Sequence, residues 1–99
     1  MSYKITIIDE AKIDYRKSLF WYKDINPKIA VRFNNSFKDS LKEIKNNPFQ
    51  FQVRYKDIRI KLLDKFSYVI HYAIYNNTIV VKLICHTSRD GELNMFQKI

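Results

Sequence analysis

Between Ile58 and Asp90 the chain alternates apolar and polar residues with period two, as in Ile-Arg-Ile-Lys-Leu from Ile58 and Tyr-Val-Ile-His-Tyr from Tyr68. Alternation of this kind marks strands that bury one face. Parity then sorts the side chains. Ile58, Ile60, Leu62, Tyr68, Ile70, Tyr72, Ile74, Ile79, Val81, Leu83 and Cys85 are expected against the core, and Arg59, Lys61, His71, Tyr75, Lys82 and His86 on the opposite face. One sheet would thus carry an oily face and a basic face. A basic sheet face points to an acidic or nucleic-acid partner rather than to a small-molecule pocket.

The segments before this stretch supply what covers the oily face. Tyr3 to Ile8 is β-branched and reads as a strand. Asp9 is placed to cap a helix, with Glu10 in its first turn, and Ala11, Tyr15, Leu19, Tyr22 and Ile25 recur at helical spacing. Ile13, Phe20 and Trp21 widen that stripe, so packing on more than one flank is expected. Asn26-Pro27 sets a boundary, because Asn caps the next helix while Pro fills its first position, where no amide hydrogen is needed. Ala30, Phe33, Phe37, Leu41 and Ile44 trace the face of a second helix that ends at Asn46-Asn47-Pro48. Phe49 to Tyr55 reads as an irregular approach to the sheet. Strands follow at about residues 57–63, 68–75 and 78–86, the last two joined by Asn76-Asn77, which suits a two-residue hairpin turn.

The expected class is therefore α+β: an N-terminal strand, an antiparallel helical hairpin and a three-stranded antiparallel meander completing a curved sheet. Residues 1–99 are read as a single domain, with enough Ile, Phe and Tyr to build a core. The formal charge of +8 favours polyanionic partners but does not choose between RNA, DNA and an acidic protein. Cys85 is the only cysteine, which excludes an internal disulfide and fits a reducing compartment. No signal-peptide pattern or membrane-length apolar run is present, so a cytoplasmic protein without a membrane partner is expected.

Chemical motifs are few. His71 and His86 are separated by a whole hairpin, no Cys/His/Asp cluster has metal-ligand spacing, and neither a glycine-rich phosphate loop nor a serine nucleophile motif occurs. No cofactor or metal is expected. Each histidine alone reads as a surface or structural residue, and Trp21 and Tyr22 as core packing rather than a base-stacking platform. The informative feature is convergence, since Arg59, Lys61, Lys82, His86 and Arg89 come from three segments and should gather at one end and one face of a single sheet.

Several of these residues also fall in a familiar order. Trp21-Tyr22, Asn26-Pro27, Asn47-Pro48, Ile58-Arg59, Lys65-Phe66-Ser67-Tyr68 with Tyr72, and His86-Thr87-Ser88-Arg89-Asp90 resemble the RelE/ParE superfamily of toxins from type II toxin-antitoxin modules. The resemblance implies a bacterial growth inhibitor silenced by a cognate antitoxin whose small acidic C-terminal segment wraps it. It also implies one of two targets. One branch cuts mRNA on the translating ribosome without a metal; the ParE-like branch poisons DNA gyrase.

Arg89 matches the arginine of the family's penultimate motif, but Val69 stands where the nuclease pattern often has an arginine, and Asn94, Met95 and Phe96 where it often has a tyrosine. The ParE-like reading is therefore favoured, a protein that acts by binding, with Arg59, Lys61, His71, Tyr75, Lys82, His86 and Arg89 as expected target contacts. The alternatives are a ribosome-dependent endoribonuclease, with His86, Arg89, Arg59 and Lys61 as its catalytic candidates, and a degenerate, nontoxic member that only binds antitoxin.

Overall fold

A computed structural model describes residues 3–88, so Arg89 and the C-terminal positions compared above lie outside the described residues. The order is β1 (Lys4–Ile7), α1 (Asp9–Ile25), α2 (Pro27–Asn46), β2 (Val53–Tyr55), β3 (Ile58–Leu62), β4 (Tyr68–Tyr75) and β5 (Thr78–His86). The strands form one sheet in the order β1-β5-β4-β3-β2. β1 runs parallel to β5 and the other neighbours are antiparallel, so the sheet is mixed.

Local chemistry explains the helix boundaries. Asn26 Oδ1 accepts from the Lys28 amide at 2.9 Å while Pro27 occupies the first helical position, which separates α1 from α2 without a loop. At the start of α1 the expected cap is corrected: Ile8 is the boundary residue and makes no side-chain cap bond, while Asp9 and Glu10 lie within the first turn. Their charges still favour the positive end of the helix dipole there. Phe49 to Tyr55, expected to be irregular, contains the short edge strand β2.

Ala11, Phe33, Phe37 and Ile44 of the helices meet Leu63, Tyr68, Ile70, Tyr72, Ile79, Val81 and Ile84 in one buried cluster. Tyr15 stacks near Phe33 and Phe37, and its hydroxyl donates to Asn34 Oδ1, tying the two helices together. The widened stripe of α1 is not buried. Ile13, Phe20 and Trp21 are exposed, and so is Ile25 at the end of the expected core stripe, because the sheet and α2 already occupy the side of the helix bearing Ala11, Tyr15 and Tyr22.

The face assignment is corrected at two strands. Arg59 lies opposite Tyr72 and Lys61 opposite Ile70, so both cations share the helix-facing side, while Ile60 and Leu62 pair with His71 and Val69 on the far side. On β5 the partner of His71 is Leu83 and that of Tyr72 is Val81, which leaves Lys82 as one extra residue in the ladder. This β-bulge inverts the alternation beyond it. Ile84 and His86 consequently join the helix side, and Leu83 and Cys85 move to the far side.

Candidate functional site

The expected basic face is divided between the two sides of the sheet. On the helix side Arg59 donates to the carbonyl oxygens of Phe49 at 3.1 Å and Phe51 at 2.6 Å, and its guanidinium lies 5.2 Å from the centre of the Phe49 ring. Lys61 pairs with Glu43 at 3.1 Å and sits 5.2 Å from the Phe51 ring. Both cations therefore bind the protein's own α2–β2 connection. Behind them the Tyr72 hydroxyl donates to the Pro48 carbonyl at 2.6 Å, in a buried setting. Burial pushes the Tyr72 phenol up to about 12, with the nearby Arg59 charge opposing the rise.

His86 stands at the other end of this side, edge-on to Tyr68 with ring centres 5.4 Å apart. Its Nδ1 accepts from the Ser88 amide at 3.2 Å, which requires the proton of the neutral ring to sit on Nε2. The bond from the Thr87 amide to the Ser67 carbonyl, 2.9 Å, closes the end of the β4–β5 pair beside it.

On the far side His71, expected at the surface, is buried at 1% exposure, and its Nδ1 lies 2.9 Å from the Tyr55 hydroxyl. Lys82 donates to the Tyr75 hydroxyl at 2.7 Å across the bulge. That bond raises the Lys82 pKa above its ordinary value; desolvation opposes it, and the nearby Tyr75, Asp57 and Tyr55 add smaller raising contributions. Val69, Ala73 and Cys85 share this side and are buried. Arg89, the seventh expected contact, is outside the described residues.

Two features escaped the sequence reading. Tyr55 was part of a segment read as irregular, yet it pairs with His71. A groove of about 450 Å³ also lies between the helices, with Ile7, Leu19, Phe37 and Leu41 supplying apolar walls and Lys12, Arg16 and Lys38 its charges. The helical periodicity located both apolar stripes, but not the gap left where they meet. Among the described residues, no three His, Cys, Asp or Glu side chains group as a metal site, and no helix is long and apolar enough to cross a membrane.

Comparison with known proteins gives this arrangement a context. A solved structure titled as the chromosomal ParDE toxin-antitoxin system from P. aeruginosa superposes with a TM-score of 0.75, covering 86% of this chain and 96% of that chain at 13% identity. At that identity the likeness shows the fold. No curated protein matches the sequence. A family model described as the ParE toxin of the type II toxin-antitoxin system, parDE, matches residues 6–91. Running from the end of β1 through the helical hairpin and the whole meander, that match shows that the chain belongs to the ParE toxin family of type II toxin-antitoxin systems.

Proposed function

We propose that this ParE-family toxin arrests growth in the cytoplasm by binding DNA gyrase, and that a cognate antitoxin neutralises it. The observation that carries the choice of target is the state of the groups a nuclease would use. Cleavage of mRNA needs a base for the 2′-hydroxyl, an acid for the leaving oxygen and cations on the phosphate. Arg59 and Lys61 are occupied by Phe49, Phe51 and Glu43, and the position of the nuclease arginine is the fully buried Val69. Binding a protein target makes no such demand. His86, Lys82 with Tyr75, and Arg89 are the residues proposed to contact it. The antitoxin is proposed to lay an acidic amphipathic helix in the groove edged by Lys12, Arg16 and Lys38.

Purified protein is expected to reduce gyrase supercoiling, or to accumulate cleaved gyrase-DNA complexes, while leaving mRNA intact on translating ribosomes. Arg89→Ala is expected to abolish growth arrest with little change in melting temperature. Cuts within ribosome-bound codons that fall at least ~100-fold in His86→Gln would replace this reading with the endoribonuclease. Harmless expression of folded protein would leave a member that only binds antitoxin.

A further inference from the structure

The connection between α2 and β2 is fastened far more heavily than a surface loop requires. Asn47 Oδ1 accepts from the Phe49 amide at 3.3 Å, the Asn47 carbonyl accepts from the Gln50 amide at 3.3 Å, and the Gln50 side chain returns to the Glu43 carbonyl at 3.1 Å. Tyr72 holds the Pro48 carbonyl, and Arg59 Nη1 donates to the carbonyls of both Phe49 and Phe51. Pro48 and Phe51 pack inward, whereas Phe49 is 56% exposed. The result is an aromatic side chain on immobilised backbone, which loses little conformational entropy when a partner covers it.

We propose that Arg59 is a positioning residue rather than a direct contact, and that it acts by presenting Phe49 to an acidic surface of the target protein. The sign of that surface follows from the neighbours. The exposed Lys45 and Lys56 flank the segment in sequence, and of the nearby acids Glu43 is already paired with Lys61. The proposal rests on the reading above only in requiring that the target be a protein.

The test is growth arrest on induction, run alongside gyrase supercoiling, for wild type, Phe49→Ala, Arg59→Ala, Arg59→Lys and the Phe49→Ala/Arg59→Ala double variant. Phe49→Ala should keep the wild-type melting temperature and need at least ~10-fold more protein for half-maximal inhibition. Arg59→Lys keeps the charge but loses the planar guanidinium that lies against the Phe49 ring while its Nη1 bonds two carbonyls, so it should be impaired, with faster amide exchange over residues 49–53. The double variant should be no weaker than the weaker single variant, because both act through one ring. Full toxicity of Phe49→Ala or of Arg59→Lys would overturn the proposal, as would additive losses in the double variant. Growth arrest by the wild type without any effect on gyrase would remove the gyrase reading, while the growth comparison would still decide the role of Arg59.

Discussion

Tyr72 shows how one side chain joins core and site. Its ring is fully buried on the helix side of β4, and its hydroxyl satisfies the carbonyl of buried Pro48. Tyr72→Phe would leave that carbonyl without its donor, at a cost of about 1–3 kcal/mol, read as a fall in melting temperature. The phenol adds a dependence on pH. In the unfolded chain it ionises near 10, the ordinary value, but in the folded protein only at about 12. Between those values the unfolded state releases the proton first, so stability is intact below the lower value and declines as pH rises toward the upper. Tyr15 and Tyr22 are also raised by burial, so the measurement is a comparison. The Phe variant should lose less stability than wild type across that window, and equal losses in alkaline unfolding would contradict the assignment.

At the scale of elements, the bulge at Lys82 decides which side chains of β5 face the helices. Val81 before it and Ile84 after it are both in the core, although strict alternation would place them on opposite faces. Deleting Lys82 removes the extra residue, so Val81, Leu83 and Ile84 should alternate regularly against Tyr72, His71 and Ile70, with Ile84 kept toward the helices and Leu83 and Cys85 on the far side. A retained cooperative thermal transition is the expected result, because no core side chain of β5 changes face. Loss of that transition would mean that the bend introduced by the bulge is itself needed to fit the sheet to the helices. The same bulge marks the limit of what the sequence made legible. Asn26-Pro27 and Asn47-Pro48 fixed the hairpin because capping is local chemistry, and β4 and β5 began and ended at the residues expected. The faces were not legible because the far side is apolar too: Val69, Ala73 and Cys85 are as buried as the core, so alternation alone could not tell which side the helices cover. On β3 the rule failed outright, since Arg59 and Lys61 face the helix side yet find carbonyls and a carboxylate there. A periodic pattern records burial, but not which element provides it.

For the whole molecule, charge is the dominant property that the fold does not neutralise. With 18 Lys and Arg against 10 Asp and Glu the chain carries a formal +8, and Lys61–Glu43 joins cation to acid within the described residues. Lys12, Arg16 and Lys38 edge the groove between the helices, while Lys82 and His86 lie on the sheet, so basic side chains are found on more than one side of the molecule. An acidic antitoxin would therefore be drawn in before any specific contact forms, and steering of this kind raises the association rate by ~10-fold or more. Screening removes it as the Debye length shrinks from ~10 Å at 0.1 M salt to ~3 Å at 1 M. The apolar walls contributed by Ile7, Leu19, Phe37 and Leu41 would hold the bound segment by area, which salt does not weaken. Rapid-mixing measurements with the antitoxin should thus show an association rate falling at least ~10-fold across that range, with a dissociation rate that barely moves. Lys12→Glu with Lys38→Glu should reproduce much of the fall at low salt. A rate indifferent to both salt and these substitutions would mean that the antitoxin is not guided by the positive rim and docks elsewhere.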